Sequence, residues 1–389
     1  MFKQILVFTL LLVTVSCSDD DKIVEQVITC DDGIRNGDEN GIDCGGICFA
    51  NCLDENALEG FLVTRRILSA DIEYKLTGPY IVRDGAELEI EAGTVIKAVP
   101  NSDAYIAVAQ GGKLFVLGNA NAPVVITSDS DNPQPGDWGG VIICGQAPTN
   151  NGINARSDLG DIFYGGTNTG TSSGNIRYLR LEYTGALFRN EFRFNALTFY
   201  GVGSFTDIQN IQAYESLGNG FEIFGGNITA TNLVSLNVNQ FGVKASGGWN
   251  GSGTSWFLSN QTNVGIYMGN NALDFTAEPM SNVIIENVSI IDTFSNSGLF
   301  YTDGGGNFEL NNIYIAQVGL GINIDTNFES IMVDDGNLVI NNIEFDNPTP
   351  NFMETNYTGS ASFYSQGITN GSGNRNTLPF WAEGWTIGF

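Results

Sequence analysis

NIRYLRLEYTG (175–185), FTDIQNIQAYES (205–216), ITATNLVSLNV (228–238), SNVIIENVSIID (281–292), NFELNNIYIAQ (307–317) and GNLVINNIEFDN (336–347) are versions of one phrase, a short apolar strand accompanied by asparagine and glycine. A second phrase alternates with it: ALTFYG from Ala196, GFEIFGG from Gly220, FGVKASGG from Phe241, VGIYMGN from Val264, GLFYTDG from Gly298 and LGINIDT from Leu320. Within either set, successive copies start mostly 21 to 30 residues apart. Such a period marks a solenoid, whose units bury their apolar faces only against their neighbours.

The side chains select the kind of solenoid. The units alternate on period 2, are rich in Ile, Val, Phe and Tyr, and contain no stretch of helical periodicity. The expected fold is therefore all-β: a single-stranded, right-handed parallel β-helix with roughly nine or ten coils between Leu58 and Leu378. Asparagine recurs just before the apolar part of the strand at Asn210, Asn232, Asn287, Asn312 and Asn342. Stacked amides there would satisfy backbone groups that a buried corner leaves unpaired.

The chain opens with Met-Phe-Lys-Gln, an apolar run from Ile5 to Val15, then Ser16-Cys17. The run is too short to span a membrane and has the form of a signal peptide over 1–16. Cys17 behind a small residue points to a lipid anchor, with an acidic leader over 17–29. Cys30, Cys44, Cys48 and Cys52 then form a small module over 30–57, before the solenoid at 58–389. Four clustered cysteines outside the cytoplasm imply two disulfides, whose pairing the sequence leaves open. Asp31, Asp38 and Asp43 surround a glycine-rich turn in that module and supply the oxygen ligands Ca²⁺ takes, an alternative to a solvated acidic turn.

With 43 acidic and 16 basic residues, the formal charge is −27, which disfavours nucleic acid and anionic lipid as partners. No histidine occurs, which removes the commonest general base and zinc ligand. Cys144 ends the apolar run Val-Ile-Ile-Cys and reads as a small buried hydrophobe.

The combination of GAELEIEAGTVIKA (85–98), NAPVVITS (121–128), GDWGGVIICGQAP (136–148), YGG (164–166) and NGFEIFGG (219–226) resembles parallel β-helix surface lipoproteins of the Bacteroidota, over roughly Leu58 to Phe389. Ser18-Asp19-Asp20-Asp21 is similar to their acidic tag after the lipidated cysteine. The resemblance implies an outer-membrane protein facing the cell exterior, held only by its lipid. Where many relatives carry an aspartate-rich segment, this chain has Asn237-Val-Asn-Gln-Phe-Gly-Val-Lys244, a departure that removes any role assigned to those acids.

Period-2 folding of the second phrase turns Leu197 and Phe199, Phe221 and Ile223, Phe241 and Val243, Val264 and Ile266, and Ile322 and Ile324 inward. It turns Thr198, Tyr200, Glu222, Phe224, Lys244, Tyr267 and Asn323 outward. Two readings follow. The outward set forms a flat ribbon on which a sugar chain stacks, with Tyr200, Glu222, Phe224, Lys244, Tyr267 and Asn323 as ligand-binding residues; or its rings lie under loops as a satellite core. The polar excursion 147–173 is a natural binding wall, a second excursion spans 347–376, and LPFWAEGW (378–385) is expected to cap the stack. Glu222 one rung from Lys244 should hold the ammonium protonated, and no unique acid pair stands out. The expected function is binding of an extracellular polymer, a glycan, without catalysis; a structural or protein-adhesion spacer and a polysaccharide lyase or hydrolase are the alternatives. Replacing Cys17 with serine is expected to stall processing and abolish acylation, and a variant still labelled by a fatty-acid probe would refute the anchor.

Overall fold

The computed structural model describes residues 56–188, 192–291, 297–346 and 357–389, together with Cys30, Gly37, Gly46 and Cys48. Two compact units divide the chain, Met1–Asp54 and Glu55–Phe389. In the first, Cys30 is bonded to Cys48 with a Cα–Cα distance of 5.4 Å. Cys17, Cys44 and Cys52, and the aspartates at 31, 38 and 43, lie outside the described residues.

The second unit is the expected parallel β-helix: a 23-stranded sheet wound into coils, every strand pairing only parallel to its neighbours one coil away. Each coil contributes to three ribbons. Ribbon A contains the strands at 60–62, 79–82, 105–108, 141–144, 197–200, 221–224, 241–246, 264–268, 297–301 and 322–324. Ribbons B and C begin as separate strands, such as 87–91 and 95–98. From Gly174 onward one long strand supplies both, bent in the middle.

The bend is where the asparagines act. Tyr178, Asn210, Asn232, Ser255, Asn287, Asn312 and Asn342 all have φ between 52° and 62°. The left-handed conformation costs an L residue about 1–2 kcal/mol, and asparagine bears it best because its short amide bonds locally. Asn312 Nδ2 donates to Asn287 Oδ1 at 3.1 Å, and Asn342 Nδ2 to Asn312 Oδ1 at 2.9 Å. A second left-handed corner turns ribbon C into ribbon A at Tyr183, Glu215, Asn237, Asn260 and Gln317. Its rungs bond too: Asn237 Nδ2 to Glu215 Oε1 at 2.9 Å and Asn260 Nδ2 to Asn237 Oδ1 at 3.0 Å.

Inside, residues stack in register. Leu197, Phe221, Val243, Ile266, Leu299 and Ile322 form one column of ribbon A, and Phe199, Ile223, Ala245, Met268, Tyr301 and Ile324 the next. All are buried in a core that continues from Leu58 to Phe363. Phe241 departs from the inward expectation: it sits at the strand's entry, half-buried, its ring 5.0 Å from Tyr267. The long gap between the copies at 228 and 281 holds one more bent strand, Ser252–Ser259, hidden in the sequence because serine takes the asparagine position at 255. The turn after residue 324 contains an α-helix, Asn327–Asp334, started by a capping box between Thr326 and Glu329.

The tail does not close the end of the stack as expected. Residues 369–389 run back along the outer face of ribbon C, past the registered row Glu344, Tyr314, Ser289, Phe257, Val234 and Gln212. Arg375 pairs with Glu344, Ser372 N–H donates to Ser289 Oγ at 3.1 Å, and Gln212 exchanges two hydrogen bonds with the backbone of Ile387. Ala382 and Trp385 bury Val234 and Phe257, an outward apolar pair that would otherwise face water.

The corner sets a stability prediction. Asn312→Ala keeps the strained backbone and loses both amide bonds, and should lower unfolding free energy by about 1–2 kcal/mol in denaturant melts. Asn312→Gly relieves the strain and should cost less; equal losses would mean that the amide ladder alone matters.

Candidate functional site

The outer face of ribbon A carries two registered rows. One runs Ile142, Thr198, Glu222, Lys244, Tyr267, Phe300 and Asn323; beside it run Cys144, Tyr200, Phe224 and Ser246. Toward the N-terminal coils both are covered. The excursion after residue 145 folds back as a hairpin, Ala155–Arg156 paired with Phe163–Tyr164. It sets Leu159, Ile162 and Tyr164 on Cys144 and Tyr200, while Phe188 and Phe194 close the other side.

The exposed-ring reading is thereby corrected for two residues. Tyr200 is 5% exposed, its ring 4.7 Å from that of Tyr164, and its hydroxyl donates to Asp158 Oδ2 at 2.7 Å. Tyr267 is 7% exposed, flanked by Phe241 and Phe300, and its hydroxyl donates to Asp303. Tyr200 belongs to a satellite core beneath the hairpin, and Tyr267 is buried beside its own ring neighbours. Asn323 stands two strands past Tyr267 and lines no part of the cleft described next. Cys144 is fully buried, and burial pushes its thiol far up, so it is inert.

Where the cover ends, a cleft of about 190 Å³ opens. Phe224, Lys244 and Ser246 form its floor, Asn151 one wall, Asn270 to Leu273 the other, and Asp303 one end. The walls are held together by amides. Asn271 Nδ2 donates to Asn150 Oδ1 at 3.1 Å and Asn151 Oδ1 at 3.0 Å, and Asn150 Nδ2 to Asn270 Oδ1 at 3.0 Å. Asn270 in turn donates to the carbonyls of Phe275 and Ala277, which shapes its loop. Leu273 is 97% exposed at the rim.

The electrostatics centre on Lys244. Its Nζ lies 2.9 Å from Glu222 Oε1 and 5.6 Å from the centroid of the Tyr267 ring. Asn195 Nδ2 holds the other oxygen of the buried Glu222 at 2.7 Å. Glu222 foremost, then Asp158 and Asp303, raises the Lys244 pKa despite burial, so the ammonium persists. Asp158 is exposed as a residue, yet its carboxyl reaches in over Tyr200. Desolvation raises its pKa against the lowering effect of the Tyr200 hydrogen bond, and the negative charge of Glu222 adds to the rise. Burial pushes Tyr164 up to about 12.

Of the residues marked from sequence, Glu222, Phe224 and Lys244 therefore converge. Asp158, Asp303, Asn195 and the amide pair Asn270–Asn271 went unmarked. Asp303 carried a signal in Tyr-Thr-Asp-Gly-Gly-Gly, where an acid follows a ribbon A strand directly. Asp158 carried none beyond lying in the excursion marked as a wall. A larger pocket of about 370 Å³, lined by Asn101, Asp103, Asp137, Trp138 and Leu187 among others, lies at the corner between ribbons C and A. Two of its polar groups are engaged: Asp137 accepts from Ser128 and Gln134, and Trp138 donates to the Glu182 carbonyl. Among the described residues no three acidic, histidine or cysteine side chains converge to hold a metal ion.

A family model described as a pectate-lyase-like β-helix domain matches residues 60–386. The chain belongs to that family. Membership overturns the expectation that the protein performs no catalysis, which rested on the lack of a recognisable acid/base motif. On a solenoid such groups come from different coils and loops, so no linear motif need exist. No curated protein matches. Among solved structures, the chain is similar to the Dettilon tailspike protein, with 10% identity, TM-score 0.28, and coverage of 72% of this chain and 60% of that one. It is also similar to the catalytic domain of a GH87 α-1,3-glucanase in complex with tetrasaccharides, with 14% identity, TM-score 0.27, and coverage of 79% and 64%. The chain thus spans less than two thirds of either structure.

The pairing at the cleft floor predicts its own energetics. Lys244→Met leaves Glu222 buried without its cation and should cost about 2–3 kcal/mol, discounted because the lysine head is partly wet. Adding Glu222→Gln should recover most of that loss in a double-mutant cycle. Because the Lys244 pKa is raised on folding, the pair's contribution is full below the ordinary lysine range and disappears as pH rises through the raised value. Denaturant melts of both variants across alkaline pH check the sign.

Proposed function

We propose that this protein cleaves an extracellular polysaccharide by hydrolysis, in the cleft on ribbon A. The observation carrying this reading is that three carboxyl groups in unlike surroundings, Glu222, Asp158 and Asp303, act on Lys244 at the floor of the cleft. Burial favours the protonated form of Asp158, as a general acid requires, while Asp303 stands at the cleft's end with Tyr267 donating to it. Unequal environments for two carboxyls are how a glycosidase divides acid from base or nucleophile. Glu222, clamped by Lys244 and Asn195, supplies fixed negative charge near a developing oxocarbenium ion. Phe224 and the rim of Leu273 offer apolar surface to sugar faces, and the wall asparagines, whose amides bond one another, hold the opening in shape.

Elimination is the rival chemistry for a pectate-lyase-like fold, and it needs a neutral base. Lys244 is the cation at the cleft floor, and its raised pKa keeps it an ammonium. The N-terminal sequence supports a lipid-tethered place on the cell surface, in line with the resemblance to Bacteroidota lipoproteins, where a polymer too large to be imported would meet the cleft.

Incubation with a panel of polysaccharides should release new reducing ends without unsaturated ones. Asp158→Asn should reduce the rate about 10²–10⁴-fold, the contribution of a general acid. Activity should fall as pH rises through the raised pKa of Asp158, and the variant should lack that alkaline limb. Unsaturated products, or an unchanged rate in the variant, would overturn the proposal.

A further inference from the structure

We infer that the cleft takes a glycan without anionic groups, neutral or amino-substituted, and turns polyuronates away; the inference rests on the proposed function and names its substrate class. A polyuronate presents one carboxylate per sugar, and each needs a free cation or a bridging metal ion in the site that holds it. Among the described residues the cleft provides neither. Its floor has one cation, Lys244, already engaged with Glu222 at 2.9 Å. Around it stand Glu222, Asp158 and Asp303, one positive group among two or three negative ones depending on the proton at Asp158.

The next basic side chain on the covering hairpin, Arg156, is turned elsewhere: it donates to the Gly160 carbonyl at 2.8 Å and lies over the ring of Phe163. No three acidic side chains among the described residues converge to seat a bridging calcium ion, so the carboxylates act on a ligand as separate negative charges. The remaining lining suits uncharged groups: Asn151, Asn270 and Asn271 carry amides, Ser246 a hydroxyl, and Phe224 and Leu273 apolar surface. An ammonium on an amino sugar would meet Asp303, whereas a uronate would meet the same carboxylate at a cost.

Isothermal titration of the full chain tests this with three sets of oligosaccharides matched in length: neutral, amino-substituted and uronate. Each is run with calcium in excess and with EDTA, and the same samples are analysed for products. Neutral or amino-bearing chains should bind at least about tenfold more tightly than uronates, ~1.4 kcal/mol. Asp303→Asn should narrow that gap, as should raised salt. Uronates binding as tightly as the neutral set, with or without calcium, would overturn the inference, as would a gap that neither Asp303→Asn nor salt alters. Cleavage of uronate chains would uphold the proposed function and overturn this inference alone; no binding and no products with any set would remove both.

Discussion

Everything in the solenoid depends on turning a buried strand through a corner without stranding a backbone group. A strand that bends between two ribbons would ordinarily lose ladder bonds at the bend, and each unpaired buried group is costly. A single left-handed residue solves this, since it redirects the chain while its neighbours keep their register with the coils on either side. The solution is repeated at Asn210, Asn232, Asn287, Asn312 and Asn342 and again at the second corner around Asn237 and Asn260. With the corners fixed, the inner columns are fixed, and so is the outward row that contains Glu222 and Lys244.

That row shows how a regular scaffold acquires an irregular site. Stacking places Glu222 beside Lys244 because the coils repeat, and the neighbours Tyr267 and Tyr200 follow from the same spacing. The repeat alone would leave these side chains in water. Burial comes from two insertions, the excursion after residue 145 and the loop 269–281, which cross-link through asparagine amides and leave only a narrow opening. The insertions thus set which carboxyl is desolvated, and Asp158 is the one whose pKa rises for that reason.

The fold was legible in the sequence because the signals that specify it are local and repeated: period-2 apolar alternation and an asparagine at each bend. The bent strand at 252–259 escaped notice because Ser255 fills the asparagine's place, and the left-handed residue of the first long strand is Tyr178. The site was half legible. Glu222 and Lys244 follow from registering neighbouring strands, but whether Tyr200 is a sugar platform or a core residue depends on where a distant hairpin lands. Sequence spacing contains no term for that. Asp158 and Asp303 come from the hairpin and a turn, so period-2 counting along ribbon A passes over them.

The strap of residues 369–389 bears on how the coils are assembled. Gln212 and Ile387, which bond each other, are 175 residues apart in the chain. A solenoid otherwise grows coil by coil, each needing only the one before it. Here the coils from 205 to 259 are synthesised long before the segment that seals their outer side. During that interval Val234 and Phe257 lie open, a sticky stripe available to any other chain emerging nearby. Arrival of the strap is therefore a latch that joins independent coils into one cooperative body, and the folding of this protein reads less like winding a spring than like closing a zip.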